Sequence, residues 1–235
     1  MTHPYAQWRL SLICAAMLTL TACTSAPPEQ AAPSPSTEQA KAAAPAAETD
    51  TAATPDTQAS AEKLKFKRDD GSEAFSIKFR ADGAKLVDGD DQEIARFTLD
   101  ESGKVKIKDP SDAVLGYVIT QEGYWKVENA EQTQELFILR AQDDGDYKLE
   151  DGSDAQIYRI KQRDYGYEVE TPDKTSLYKV KLKDGKLSLR DANEVTVMST
   201  QSPLVPIAMA CFGFDVLTPE QQAALAYAVN LAGGQ

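Results

Sequence analysis

Histidine is nearly missing from this chain: one residue, His3, in 235. Without it the Ser-His-Asp and Cys-His nucleophile pairs have no base, and zinc or iron sites built on imidazole are excluded. Cysteine is scarce as well, with Cys14, Cys23 and Cys211 too far apart for a metal-binding cluster. No glycine-rich loop of the phosphate-cradling kind occurs. The two tryptophans, Trp8 and Trp125, rule out a recurring aromatic cage. Basic residues are outnumbered 25 to 37, a formal net charge of −12. No basic run stands out from that acidity, so binding to nucleic acid or to an anionic lipid surface is not expected. The longest apolar run, Leu10 to Leu20, is about half the ~20 residues that a membrane-spanning helix needs.

What that run does resemble is the core of a secretory signal peptide, preceded by Arg9 and followed by small residues. It ends in Leu20-Thr21-Ala22-Cys23. Position by position this resembles the lipobox of bacterial lipoproteins. The resemblance implies that residues 1–22 are a lipoprotein signal peptide, that cleavage falls before Cys23, that its sulfur receives a diacylglyceryl group and that its new amino terminus is acylated. Two or three acyl chains hold a protein on a membrane essentially permanently. Thr24 and Ser25 follow the cysteine, and neither is the Asp that keeps many enterobacterial lipoproteins at the inner membrane. The expected address is therefore the cell envelope, lipid-anchored, at the outer membrane. His3 and Arg9 would leave with the signal peptide, taking the net charge from −12 to −13.

Residues 23–60 read as a disordered tether. Ala, Pro, Ser and Thr make up 28 of the 37 residues from Thr24 to Ser60, and no aromatic, Val, Ile, Leu or Met residue is among them. Such a segment has too little apolar surface to offset the entropy of ordering it.

From residue 61 to 200 the composition changes and a period appears. Apolar or aromatic residues recur at Ile77, Phe97, Tyr117, Phe137, Tyr158 and Tyr178, each followed two residues later by another, at Phe79, Leu99, Ile119, Leu139, Ile160 and Val180. Alternation of this kind marks half-buried strands. Each unit carries a turn near its middle, such as the Asp184-Gly185 pair, which favours a type I′ hairpin. The fold class expected is all-β: an antiparallel meander of six hairpin repeats of about 20 residues, with a further strand expected before it at Leu64 to Arg68. It would be barrel-like or a flattened sandwich, with one C-terminal helix. The inward set would include Phe97, Leu99, Val105, Ile107, Ile119, Trp125, Val127, Leu139, Leu149, Val169, Val180, Leu187 and Leu189. Val118 and Ile138 would fall on the otherwise wet face.

Residues 201–235 differ again. Leu204 to Phe214 is apolar and uncharged, and Thr218-Pro219 with Gln221 form a capping-box signature for a helix from Pro219 to about Leu231, with Gly233 as its stop. This segment is expected to pack on the repeat domain, either over Val118 and Ile138 or as a plug in an open end.

Carboxylates gather at Asp88, Asp90 and Asp91, at Asp143, Asp144 and Asp146, and at Glu150, Asp151 and Asp154. Every group falls on a predicted turn, where Asp serves the backbone, so no metal site or cofactor is expected. No pair can be chosen for acid-based hydrolysis. Cys211, among apolar neighbours, reads as an inert core thiol. The expectation is a non-enzymatic envelope lipoprotein presenting a binding or scaffolding surface, with the membrane and an envelope protein as its partners. The alternative is a carrier holding a lipid or other apolar ligand in a barrel-like interior, and an acid-based hydrolase is the remaining reading.

Overall fold

The computed structural model describes residues 62–234; Cys23 and the whole of the expected signal peptide and tether lie outside them. The described chain forms fourteen antiparallel strands in one closed barrel, each paired with its neighbours in sequence, with the first and last strands meeting at a seam. The six expected repeats are β2 (Glu73–Arg80) with β3 (Gly83–Asp88), β4 (Glu93–Leu99) with β5 (Val105–Lys108), β6 (Val114–Gln121) with β7 (Tyr124–Glu128), β8 (Glu135–Ala141) with β9 (Tyr147–Asp151), β10 (Gln156–Arg163) with β11 (Gly166–Glu170), and β12 (Ser176–Lys183) with β13 (Lys186–Asp191). The flanking strands β1 (Lys63–Lys67) and β14 (Thr196–Thr200) close the circle.

Pairing register corrects the phase of the repeat. The inward residues that open successive hairpins are Phe75, Ala95, Gly116, Phe137, Tyr158, Tyr178 and Met198, opposite Phe66, Leu86, Ile107, Val127, Leu149, Val169 and Leu189. Tyr117 and Ile119 therefore point outward, opposite Lys106 and Lys126, while Val118 pairs with Val105 and Val127 on the inner face. The expectation that Ile119 faces the core is overturned, and so is the placing of Val118 on the wet face. Ile138 does point outward, between Lys126 and Glu150.

The two rims are built differently. The rim at which β1 begins and β14 ends, the near rim, carries the tight turns at residues 81–82, 122–123, 164–165 and 184–185. Asp184 and Gly185 both have positive φ, as a type I′ turn requires. The far rim carries seven longer links. Each holds one residue in the left-handed region: Gly71, Asp91, Asp112, Gln132, Asp154, Lys174 and Glu194. In four of the links an Asp at the start accepts two backbone N–H groups through its Oδ1. Asp88 takes those of Asp90 and Gln92, Asp109 those of Ser111 and Ala113, Asp151 those of Ser153 and Ala155, and Asp191 those of Asn193 and Val195.

Side chains fill the interior of an eight-stranded barrel, whereas a wider barrel leaves a lumen. Here the chain fills it with its own C-terminal segment. Helix α1 (Pro206–Ala210) leads from the near rim along β11 to β13, a 3-10 turn at Cys211–Gly213 follows, and helix α2 (Pro219–Leu231) returns along β4 to β7. Phe212 packs on Phe66 and Phe75. Phe214 stacks on Tyr158, and Tyr227 lies against Phe79 and Phe97. Every residue from Ala223 to Val229 is buried, so α2 has no wet face at all, as expected of a helix enclosed on every side. Its start follows the capping box: Thr218 Oγ1 accepts the N–H of Gln221 and Gln221 Oε1 accepts that of Thr218. The segment thus lies inside the wall, not against the outer face at Ile138. Where α2 runs past β4 and β6, the first inward residues are Ala95 and Gly116, and a Cβ at Gly116 would stand 2.6 Å from the carbonyl oxygen of Glu128.

Candidate functional site: the outer wall and its seam

Alternation along each strand sorts the charges. Of the 23 Lys and Arg residues from Lys63 to Arg190, 20 stand on strands, whereas most of the carboxylates stand in the turns. An outward row runs around the barrel through Lys65, Ser76, Lys78, Lys85, Arg96, Lys108 and onward to Lys179, Lys181, Ser188 and Ser199. The result is a cationic waist between acidic rims. A lipid-facing barrel is apolar outside and polar inside; this one is the reverse. Among the described residues no helix is long and apolar enough to cross a membrane.

Over most of the waist each cation meets a carboxylate. Lys78 pairs with Asp91 at 2.7 Å, Lys85 with Glu93, Arg96 with Glu93 and Asp112, Lys126 with Glu135, and Arg140 with Glu150 at 2.6 Å and Asp154 at 2.9 Å. Lys179 and Lys181 both reach Glu194, at 2.7 and 2.5 Å, and their hydrogen bonds hold its carboxyl down at about 2. Lys104 and Lys106 lie over the outward ring of Tyr117, 5.4 and 5.7 Å from its centroid, and help to bury it.

The acidic clusters singled out from the sequence are used in the same ways. Asp88 and Asp151 are occupied by turn N–H groups. Asp91, Asp146, Glu150 and Asp154 are paired to cations, and Asp144 accepts the N–H of Asp146. Asp90 and Asp143 are exposed at the surface. Among the described residues no three such groups converge in a cation-holding arrangement. Cys211 is fully buried beside the carbonyl of Ile207, and burial pushes its thiol well above the usual range.

The lumen is filled by side chains of the chain itself. Met209, Phe214, Leu225 and Val229 are fully buried at its centre against inward side chains of the wall. The interior that the carrier reading requires is occupied by residues of the chain itself, because fourteen strands enclose a space that the C-terminal segment fills.

One sector of the wall departs from the paired pattern. At the seam β1 and β14 share a single register pair, Lys67 with Ser199. The strands are staggered: beyond Lys67 the chain enters the turn at residues 68–72, and beyond Thr200 the ladder stops. The N–H of Lys65, which faces β14, goes to the hydroxyl of Ser202 at 2.9 Å instead of to a strand carbonyl, and the N–H of Ser202 goes to Thr200 Oγ1 at 3.0 Å. A groove of about 510 Å³ follows the seam, lined by Lys65, Lys67, Arg68, Lys186, Ser199 and Ser202 among others. Lys65 is paired with Glu73, which raises its pKa. Among the described residues Lys67, Arg68 and Lys186 have no carboxylate within 4 Å, and the same holds at the near rim of this sector for Lys63, Arg80 and Lys183.

Sequence reasoning missed this groove because lysines alternating with apolar residues read as an ordinary wet face. The available signal was the spacing of Lys63, Lys65 and Lys67, three cations on one face of the first strand.

No family model and no curated protein matches the chain. Two solved structures are similar in part. One, of a protein from Arabidopsis thaliana, has 11% identity and a TM-score of 0.36 over 64% of this chain and 86% of that one. The other, BamB from Moraxella catarrhalis, has 9% identity and a TM-score of 0.24 over 55% and 67%. Likenesses at these scores carry no argument about what the chain does.

Proposed function

We propose that the protein is a lipid-anchored component of the bacterial cell envelope, at the outer membrane, whose barrel is a non-enzymatic binding or scaffolding module working through its outer wall. The anchor rests on Leu20-Thr21-Ala22-Cys23 and the tether on the composition of residues 23–60. The observation that carries the binding reading is the filled lumen: its interior is packed with the chain's own apolar side chains, and the charged outer wall is the surface it presents. Glu62, where the tether meets the barrel, lies at the near rim, hydrogen-bonded to Phe79.

The test joins anchor and surface. Cells making the wild type and Cys23→Ala are labelled with a fatty-acid analogue, cross-linked and solubilised, and the protein is recovered with whatever is bound to it. The wild type should carry label and bring down a discrete envelope protein, whereas Cys23→Ala should carry no label and remain at precursor length. Equal labelling of both would sink the anchor. Recovery of the labelled wild type with no cross-linked partner would sink the binding role.

A further inference from the structure

We infer that the seam between β1 and β14 is a docking groove for an extended acidic segment of a partner protein, laid along the free edge of β1. The inference rests on the reading of the outer wall as a binding surface and names where on it, and what, the protein binds.

The backbone supplies the first argument. With the ladder ending at Thr200, neither the carbonyl of Lys65 nor the N–H of Gln201 has a backbone partner among the described residues. An unpaired strand edge is a template for another strand, provided that it offers donors and acceptors in alternation. At this edge the N–H of Lys65 is held only by a serine hydroxyl, an exchangeable partner, and the carbonyl beside it is free. Beyond the Lys67–Ser199 pair, Lys63 to Lys65 leave an edge of about 10 Å, enough for two or three residues of an added chain.

Charge supplies the second. The side chains facing outward along this edge are Lys63, Lys65 and Lys67, with Lys186 across the groove and Arg68 at its end; Asp69 is the acid that lines it. Elsewhere on the wall most outward cations are answered by carboxylates of the same chain, Lys106 over Tyr117 being an exception. Here Lys67 and Lys186 have no such answer, and Arg68 donates to the carbonyl of Glu73 but meets no carboxylate. An added strand with Asp or Glu at alternate positions would bring carboxylates to these three cations. A phosphate or sulfate group is a poorer match. It presents acceptors only and would leave the carbonyl of Lys65 unanswered, whereas a peptide brings N–H and C=O together.

The experiment uses the full chain in neutral detergent and a fluorescein-labelled heptapeptide, Glu-Val-Glu-Thr-Glu-Val-Glu, followed by polarisation. The peptide should bind, weaken as salt is raised, and bind at least tenfold less well to Lys67→Glu and to Lys186→Glu. Lys174→Glu, at the far rim outside the groove, should bind as the wild type does. All three variants should melt at the wild-type temperature, since each residue is exposed and has no carboxylate partner among the described residues. A version of the peptide methylated on alternate backbone nitrogens should lose binding. If the methylated peptide binds equally well, or if inorganic pyrophosphate or phosphatidylglycerol vesicles displace the probe at the peptide's own concentration, the groove is a simple anion site and the inference is overturned. Failure of the peptide to bind at all overturns it as well. A cross-linked envelope partner recovered from cells would still stand in either case, so the two readings fail separately.

Discussion

The hydroxyl of Tyr147, on the inner face of β9, donates a hydrogen bond to the backbone carbonyl of Gly234 and ties the end of the lumen segment to the wall. Burial, with Tyr167 close by, pushes the Tyr147 phenol up to about 12. The neutral form is therefore favoured in the fold. Its contribution is complete below the unfolded value near 10 and is lost as pH rises from about 10 to 12. Tyr147→Phe should cost about 1 kcal/mol at neutral pH and flatten the alkaline fall in stability. Urea unfolding at pH 7 and again between pH 9.5 and 11.5 checks both. A residual slope should persist, because burial and Asp215 also hold Tyr178 at about 12.

If the lumen segment is the core of the domain, deleting its apolar mass should cost as much as any core deletion. Leu225→Ala, at a fully buried position on α2, should destabilise by about 2–5 kcal/mol. A chain ending at Ser202 should lose cooperative melting and bind a hydrophobic dye, since it leaves the inner face of fourteen strands uncovered. A sharp melt for that truncated chain would mean that the wall closes without its filling.

Much of this architecture is legible in the sequence, and what is not has identifiable causes. The six hairpins, the Asp184-Gly185 turn and the limits and capping box of α2 follow from alternation and capping chemistry, which are local. The phase of the repeat does not. Reading Ile77, Phe97, Tyr117, Phe137, Tyr158 and Tyr178 as equivalent mixes the second inward position of early hairpins, an outward residue at Tyr117, and the first inward position of later hairpins. Ala95 and Gly116 hold the first positions in β4 and β6 and give no apolar signal, being small where α2 passes. Strand β14 is overlooked for a similar reason, its inward pair being Met198 and Thr200. The seam groove arises from the meeting of two strands 130 residues apart, which no local pattern encodes.

The cap of α2 can be tested by itself. Thr218→Ala removes the acceptor for the N–H of Gln221 and should lower stability by about 1 kcal/mol, with Gln221→Ala acting on the same pair and adding less than its separate effect. A double-mutant cycle measured by urea unfolding reports the shortfall.

At the far rim Lys174 is held at φ 70°, a conformation that costs a side-chain-bearing residue about 1–2 kcal/mol. Lys174→Gly should therefore raise the melting temperature, part of the gain being offset by the freedom glycine has in the unfolded chain. Lys174→Val, branched at Cβ, should lower it. The opposite order of melting temperatures would contradict the turn geometry.

Cys211 should resist maleimide in the native protein and react fully once urea has unfolded it, because it is enclosed and its thiol is held protonated by burial. Mass spectrometry before and after denaturation reads this directly. Prompt native modification would place α1 outside the wall.

The barrel also has a timetable written into its chain order. Synthesis proceeds from the amino terminus, so all fourteen staves are made before the first residue of α1, and the hollow they must surround is filled by residues 201–234. At about 5–20 residues per second, this leaves roughly 2 to 7 s during which a ribbon of amphipathic strands exists with its apolar side bare and its two ends without a stopper. Until the filling arrives nothing in the chain covers the inner face, and a premature stop shortly after Thr200 should yield an adhesive fragment rather than a smaller version of the domain.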